Sequence, residues 1–306
     1  MTCQLVIACP SPTPTNTPTM TVTPTVTVTP TMTVTPTNTV TPTPTVSPGP
    51  AFDADAAAYL AAVISAGGTT DSTISAATDT LFTSLKSNGL YNKIKRLYPF
   101  VGGVANSNKI NAKIPGTNDI GFNGGWTHNY SGSTPNGTTG YGNLGIFGSG
   151  GENLVGSNYH HSIYIGAPKT SGNFEYDIAA ELGFPTNELL SESTDYRYTK
   201  VARTDSGQAY QSPPSAYTGF FANSSSDPDF TLQIRTIQTP RSQAITLALP
   251  SGNTYLGARN NNGVAELFAT KQYSFLTIGQ RLTNTELSNL ENAINTFQTA
   301  LGRNTY

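Results

Sequence analysis

The chain has 306 residues, 16 of them basic and 18 acidic, and a formal net charge of −2. Charged residues make up only 11% of it, so no basic patch predicts nucleic-acid binding, and no run of 18 apolar residues predicts a membrane span. Both cysteines, Cys3 and Cys9, precede residue 10, so the remaining chain holds neither a disulfide framework nor a cysteine-ligated metal.

The first predicted element is a threonine–proline tract at residues 10–50. Thr or Ser occupies every odd position from 11 to 47, and proline recurs at every sixth residue, always at an even position. Proline fixes an extended backbone, and Thr and Val favour strands. Alternate residues of a strand point their backbone groups to opposite edges, so one edge keeps all its N–H donors and the other lacks one at each proline. The tract therefore predicts an edge strand, roughly 120 Å long when fully extended.

Two interpretations of this tract remain. In the first, it joins copies of the chain or lies along neighbouring subunits, and the contacts come from its even positions: Val22, Pro24, Val28, Pro30, Val34, Pro36, Val40 and Pro42. In the second, it is a mucin-like spacer with O-glycosylation at Thr21, Thr27, Thr33 and Thr39. The strict register favours assembly, because a flexible linker needs none.

Three helices are predicted next, at residues 53–65, 70–87 and 90–97. Apolar residues recur at spacings of three and four, and Gly67 and Gly89 mark the ends of the first two. Lys93, Lys95 and Arg96 would form a solvated basic face of the third helix rather than a polyanion site. These helices are too small to bury a core alone, so we expect them to pack on the next domain or on another subunit.

From about residue 108, short strands alternate with turns rich in Gly, Asn, Ser and Pro, which predicts a β-sandwich or jelly roll. Residues 196–201 and 231–235 alternate apolar and polar side chains, which predicts one buried and one wet face. Residues 260–263 predict a hairpin turn. Thr283 and Glu286 form a capping box for a C-terminal helix that ends at Gly302. The predicted strands are 120–122, 144–147, 162–165, 174–179, 196–202, 217–222, 231–237, 244–249, 255–258 and 265–278.

Five stretches of the sequence form recognisable motifs: residues 53–95, Phe-Asn-Gly-Gly-Trp-Thr-His at 122–128, Thr-Pro-Asn-Gly-Thr at 134–138, Phe-Ala-Thr-Lys-Gln at 268–272 and Thr-Phe-Gln-Thr-Ala-Leu-Gly-Arg at 296–303. These stretches resemble a family of proteins common in tailed-phage genomes and environmental viral sequence. The resemblance covers about residues 52–303. It implies a concanavalin-A-like sandwich of the laminin-G type and a role in virion or tail structure. It implies no catalytic or binding residue, and the tract is not a fixed part of the family.

This sandwich class also includes glycoside hydrolases, so the carboxylates need a test. Glu175, Asp177 and Glu181 resemble the Glu-x-Asp-x-x-Glu strand of laminarinase-like enzymes, with one residue too many. On a regular strand Glu175 and Glu181 would lie roughly 20 Å apart, against about 5 Å for a retaining pair. The spacing therefore argues against a glycoside hydrolase. No serine or cysteine triad signature stands out and no phosphate-binding glycine loop follows a predicted strand, so the sequence predicts that the chain is not an enzyme.

The sequence predicts neither a metal nor another cofactor. His160 and His161 are adjacent in a predicted strand, so their rings should point to opposite faces and cannot share a metal. Asp227 and Asp229 could contribute to a calcium site, but calcium takes six or more oxygens, so an exposed turn is the preferred interpretation.

Sugar binding is the alternative function. Trp126, Tyr130 and Tyr141 lie in a segment rich in Gly and Asn, and an aromatic face can stack on a sugar ring. Trp126 is the only tryptophan and sits at a predicted strand end, so a core role is favoured for it, because a large aromatic side chain dominates the packing wherever it is buried.

The sequence thus predicts a mainly β protein in three parts: an extended arm at 1–50, a helical segment at 51–103, and a jelly-roll or concanavalin-A-like sandwich with a C-terminal helix at 104–306. The predicted function is structural, in a virion or an extracellular fibre, with homo-oligomeric assembly through the arm. The alternative is a lectin-like adhesin that binds host-surface glycans on a glycosylated stalk.

Overall fold

The computed structural model describes residues 52–147, 152, 154–181, 186–192, 197–203, 210–212, 218–225, 229–242 and 249–306. The chain divides into two units, Met1–Gly49 and Pro50–Tyr306, and the described residues belong to the second. The threonine–proline tract, with its predicted assembly and glycosylation residues, lies outside the described residues.

The first two predicted helices and the C-terminal helix are confirmed. Asp53 and Asp71 cap the first two helices with their carboxylates, and Thr283 and Glu286 form the predicted capping box of the last one. The helices are α1 (Ala54–Ser65), α2 (Ser72–Ser87), α3 (Ala105–Asn108) and α4 (Asn284–Ala300). Among the described residues, no helix combines the length and the apolar character that a membrane crossing requires.

The described strands form two sheets, almost entirely antiparallel. The first sheet, in spatial order, contains β13 (Ile237–Ser242), β12 (Asp229–Ile234), β11 (Gly219–Ser225), β6 (His160–Ala167), β17 (Gln272–Gly279), β4 (Gly132–Pro135) and β3 (Trp126–Asn129), with β1 (Ile94–Tyr98) also paired to β17. The second contains β10 (Tyr210–Ser212), β9 (Arg197–Arg203), β8 (Thr186–Glu192), β7 (Glu175–Glu181), β14 (Tyr255–Leu256), β5 (Tyr141–Asn143) and β2 (Gly121–Asn123), with β15 (Arg259–Asn261) beside β7 and paired to β16 (Val264–Glu266). The predicted mainly β sandwich with a C-terminal helix is therefore confirmed.

The central strands of the first sheet, β12, β11, β6 and β17, are buried on both faces, which makes this part of the unit three layers deep. Successive residues of β11 show this, because Phe221 points into the core shared with the second sheet and Phe220 into the core shared with the helices. Leu276 and Phe275 of β17 divide in the same way. The helices thus pack on the sandwich, as the sequence led us to expect.

The predicted third helix is wrong. Residues 94–98 form β1, which pairs with β17 and has a register shift between Ile94 and Arg96. Its residues are buried on both faces, so the apolar pattern does not alternate and resembles a helical spacing. The basic cluster is not a solvated helix face either, because Arg96 is buried and pairs with Glu152, and Lys93 pairs with Glu286.

The predicted wet face of residues 231–235 is also wrong. Thr231 and Gln233 are buried beneath α4, where Thr231 donates to Asn284 and Gln233 to Glu291. The polar side chains alternate as predicted, but they contact a helix instead of water. The same segment turns at Arg235, which has a φ of 50°, so the predicted strand 231–237 is divided between β12 and β13.

Two further boundaries differ from the prediction. The long strand predicted at 265–278 is two strands, β16 and β17, and residues 144–146 connect β5 to the rest of the chain instead of forming a strand. The hairpin turn at 260–263 is confirmed, with Asn262 and Gly263 both at positive φ. The predicted strand 244–249 lies almost entirely outside the described residues.

Candidate functional site

Tyr130 stands at the tip of a tight hairpin. Trp126–Asn129 pairs with Gly132–Pro135, and Asn129 lies opposite Gly132, so Tyr130 and Ser131 form the turn. The Asn129 side chain accepts a hydrogen bond from the Ser131 N–H at 2.8 Å, which fixes the turn locally. The Tyr130 side chain projects outward and is 61% exposed.

The Tyr130 ring is nevertheless held in place. Its hydroxyl is 2.6 Å from the Thr69 hydroxyl, and its backbone carbonyl accepts a hydrogen bond from Arg303 at 3.0 Å. Gly103, at a φ of 77°, lies against the ring, and a Cβ atom there would come within 3.2 Å of it. One part of the ring is thus supported by backbone, and most of the ring is open to solvent.

A cleft of about 530 Å³ opens beside this ring. Its volume lies within the usual range of small-ligand sites, about 300–1,000 Å³. We call it the Tyr130 cleft. Three segments besides Tyr130 line it: residues 69–71, 73 and 74 around the start of α2, residues 101–102, and residues 300–303 at the end of α4. Its walls combine hydroxyl groups with apolar side chains, namely Thr69, Thr70, Thr73, Ile74, Val101 and Leu301.

Arg303 forms the floor of the cleft and is 8% exposed. Its five N–H groups donate to five acceptors of the protein: Nε to the Gln298 side chain, Nη1 to the Phe100 and Tyr130 carbonyls, and Nη2 to the Pro99 and Ser274 carbonyls. A guanidinium has five donors in total. Burial lowers its pKa to about 10, so it stays charged at neutral pH.

Asp71 brings a carboxylate to the same cleft. It is the N-cap of α2, and its Oδ1 accepts a hydrogen bond from the Ile74 N–H at 2.7 Å. A carboxylate is a preferred group at a helix N-terminus, because the first N–H groups lack partners within the helix. Asp71 is otherwise exposed.

Trp126, a predicted sugar-binding residue, lies in an aromatic cluster. Its ring centroid is 4.8 Å from that of Phe122, 6.1 Å from His128 and 6.4 Å from Tyr273. Its indole N–H donates to the Asn123 carbonyl at 3.0 Å. Trp126 is half-buried, and these contacts give it a packing role, as the sequence favoured.

The glycine-rich motif beside Trp126 closes this edge of the sandwich. Asn136 accepts hydrogen bonds from the N–H groups of residues 138, 139 and 140 with one side-chain oxygen. A Cβ atom at Gly124 would lie 1.9 Å from the Thr139 carbonyl oxygen. Two loops therefore interlock, and the Asn-Gly-Thr and Gly-Gly-Trp motifs are explained by their mutual packing.

Tyr141 lies elsewhere, on β5 of the second sheet, with its ring centroid 4.5 Å from that of Tyr255. The structure therefore separates the three predicted sugar-binding residues. Trp126 and Tyr130 share a hairpin, but only Tyr130 lines the cleft.

Two of the carboxylates of β7, Glu175 and Asp177, bind neighbouring side chains of the protein. Glu175 and Glu181 are the first and last residues of this strand. Glu175 accepts hydrogen bonds from Ser171 and Thr270. Asp177 pairs with Lys271 at 2.7 Å and accepts the Tyr273 hydroxyl at 2.8 Å, with the side chains of Asp177 and Lys271 fully buried. The Lys-Gln motif at 271–272 thus joins β7 to the segment that enters β17.

The two adjacent histidines are buried and face different partners, as predicted. The His160 ring contacts the Gln280 carbonyl and the Thr277 hydroxyl, and the His161 ring contacts the Tyr159 hydroxyl and Asn223. Among the described residues, no three His, Cys, Asp or Glu side chains are grouped as metal ligands would be. Asp229 begins β12, and Asp227 lies outside the described residues.

Sequence reasoning missed Thr69, Asp71, Gly103 and Arg303. Asp71 carried a usable signal, because Asp before a predicted helix indicates an N-cap. Arg303 belongs to a motif of the resemblance but had no predicted role. Gly103 carried no signal for contact with Tyr130, because the two residues are brought together only by the fold.

No protein-family model and no curated protein matches the sequence. Among solved structures, a carbohydrate-binding module of Ruminococcus gnavus IT-sialidase, bound to α2,3-sialyllactose, is 12% identical over 44% of this chain and 82% of its own, with a TM-score of 0.37. A Trypanosoma rangeli sialidase mutant is 9% identical over 74% of this chain and 39% of its own (TM-score 0.45). The binding domain of botulinum neurotoxin serotype D is 10% identical over 66% and 52% (TM-score 0.48). At these scores the ligands of those proteins do not carry over to this chain.

Proposed function

We propose that the Pro50–Tyr306 unit is a lectin-like carbohydrate-binding domain without enzymatic activity, and that it takes sugars in the Tyr130 cleft. One observation carries the proposal: Tyr130 presents an exposed ring whose position is fixed by Thr69, Gly103 and Arg303. A sugar stacks its apolar face on an aromatic ring, and a ring that is already ordered loses little conformational freedom on binding.

The surroundings of the ring suit a polyhydroxylated ligand. Thr69, Thr70 and Thr73 supply hydroxyl groups that both donate and accept, and Asp71 supplies an acceptor. Ile74 and Leu301 supply apolar surface. A sugar ring has the same two characters, because its hydroxyl groups lie at the rim and its C–H groups on the faces.

The test is glycan-array binding of the full chain, followed by calorimetry on the best glycan. Tyr130→Ala should weaken binding by about tenfold or more, because the variant loses one stacking contact and the ordered aromatic wall of the cleft. Tyr130→Phe keeps the ring and should bind more tightly than Tyr130→Ala. Tyr141→Ala is the control for the second sheet and should bind as the wild type does. The proposal would be rejected if no glycan binds, or if Tyr130→Ala binds glycans as tightly as the wild type does.

We further propose that this domain is displayed by a virion or an extracellular fibre, and that the threonine–proline tract joins copies of the chain. The one-sided proline register in the sequence supports this second proposal. Removal of residues 1–50 should leave a folded domain that no longer assembles. Sedimentation of the purified full chain and of the truncated chain measures this, and a truncated chain that still assembles would contradict it.

A further inference from the structure

We infer that the Tyr130 cleft selects uncharged glycans and discriminates against acidic ones such as sialylated, uronic-acid and sulfated sugars. The inference rests on the proposed sugar-binding function and adds the class of ligand. It follows from what the positive groups of the cleft already bind.

The first positive group is the Arg303 guanidinium. Among the described residues that line the cleft, it is the one cationic side chain. Recognition of a sugar carboxylate by arginine needs two parallel N–H donors. All five N–H groups of Arg303 already donate to Gln298 and to four backbone carbonyls, and the group is buried. Arg303 therefore positions the cleft wall and has no donor left for an anion.

The second positive group is the N-terminus of α2. Free N–H groups at a helix start attract anions. Here the Asp71 carboxylate occupies this position, with Oδ1 on the Ile74 N–H. An acidic sugar would have to displace Asp71 or lie beside it, and two carboxylates in one cleft repel each other.

An uncharged glycan meets neither obstacle. It can accept from the threonine hydroxyls and donate to the Asp71 carboxylate, and its apolar face can cover Tyr130. Hydrogen bonds to a carboxylate are stronger than those between neutral groups, so the same charge that repels an acidic sugar favours the hydroxyl groups of an uncharged one.

The experiment compares matched glycans with the full-length protein: the same core with and without a terminal sialic acid, and with and without a sulfate. Asp71→Asn is the diagnostic variant. Asparagine is as good an N-cap as aspartate, so α2 keeps its cap while the cleft loses its charge. Thermal unfolding of this variant checks that the fold is retained.

We expect Tyr130-dependent binding of uncharged cores, and at least several-fold weaker binding of their acidic forms. In Asp71→Asn this difference should shrink by roughly two- to fivefold, the effect of one exposed charge. Equal or tighter Tyr130-dependent binding of the acidic forms, or an unchanged difference in Asp71→Asn, would overturn the inference and leave the proposed function standing. If no glycan binds in a Tyr130-dependent way, both fail.

Discussion

A comparison of Gly103 with Gly67 distinguishes the cost of backbone strain from the effect of the contact with the Tyr130 ring. Gly103 and Gly67 have nearly the same φ, 77° and 80°. A Cβ atom at Gly103 would press on the Tyr130 ring, whereas one at Gly67 would meet nothing within 4 Å. The same substitution at both positions therefore imposes a similar backbone cost, and the main difference is its effect on the Tyr130 ring.

Gly103→Ala and Gly67→Ala should each lower the free energy of unfolding by about 1–2 kcal/mol, the cost of a left-handed conformation with a side chain. Only Gly103→Ala should also weaken glycan binding, because its methyl group displaces the Tyr130 ring. Urea unfolding and calorimetry measure the two effects. If both variants bind equally well, the contact with Gly103 does not matter to the site.

The two buried histidines make stability depend on pH. Burial lowers the pKa of His160 to about 4, although the hydrogen bond to the Gln280 carbonyl opposes this shift. Burial lowers the pKa of His161 to about 3, and the neighbouring His160 adds to that shift. An unfolded histidine has a pKa of about 6.5. Below about pH 6.5 the unfolded state binds more protons than the folded state, so the free energy of unfolding falls as the pH drops.

We expect a loss of about 1 kcal/mol per histidine between pH 7 and pH 5.5, a window in which exposed carboxylates hardly titrate. Urea unfolding at the two pH values measures it. His161→Gln should remove about half of the loss, whatever its effect at pH 7. Burial also lowers the pKa of His128, but this side chain is only half-buried, so His128→Gln should remove a smaller part of the loss than His161→Gln. A wild-type free energy that does not change over this window would contradict the prediction.

At the scale of elements, the sequence identified those whose pattern is local. The helices α1, α2 and α4 follow from apolar spacing and from caps at Asp53, Asp71 and Thr283. The sequence-based prediction was wrong where a neighbouring layer of the fold covers a face that the pattern assigns to solvent or to another type of element. Residues 94–98 are a strand because both of their faces are covered, and the polar face of β12 is buried because α4 supplies partners for it.

The buried ion pair Asp177–Lys271 joins β7 to the segment that enters β17. Removal of the pair tests how much this contact contributes to the free energy of unfolding. Lys271→Met leaves a carboxylate in the core and should cost about 3–5 kcal/mol in the free energy of unfolding. The double variant Asp177→Asn/Lys271→Met should cost less than the sum of the single ones, because it leaves no unpaired charge.

Asp55→Asn is the matched surface control. Asp55 pairs with Lys86 at 2.6 Å, but the two side chains are 48% and 34% exposed, so this change should cost no more than about 1 kcal/mol. Urea unfolding of the four variants measures these differences. Additive costs at Asp177 and Lys271 would show that the two side chains do not act as a pair.

At the scale of the whole molecule, the cleft shows why its composition could not be predicted. Its residues come from four stretches near 70, 102, 130 and 302. The aromatic residues of the sequence include Tyr130 as a candidate. Tertiary packing sets the groups that hydrogen-bond to Tyr130 and the acceptors that bind the Arg303 guanidinium, so the sequence does not show them. Tertiary packing also decides that Trp126 joins an aromatic cluster, whereas Tyr130, on the same hairpin, lines the cleft.

The threonine–proline tract is the opposite case, because its prediction rests on the sequence register alone. Every proline lies at an even position, so an assembled edge strand would use the N–H groups of the odd residues. Proline added at even positions removes donors only from the edge that already lacks some. Proline added at odd positions removes donors from the intact edge.

Pairs of proline substitutions at odd and at even positions distinguish edge pairing from a spacer role. Thr21→Pro/Thr33→Pro should abolish assembly of the full chain, whereas Met20→Pro/Met32→Pro should preserve it, although each variant gains two prolines within one residue of the other's sites. Light scattering and sedimentation of the unglycosylated proteins measure the difference. If the tract is a flexible or glycosylated spacer, both double variants should behave alike, because a spacer does not depend on the edge at which a proline lies. Equal behaviour of the two variants would therefore reject edge pairing while leaving the glycan site of the folded unit untouched.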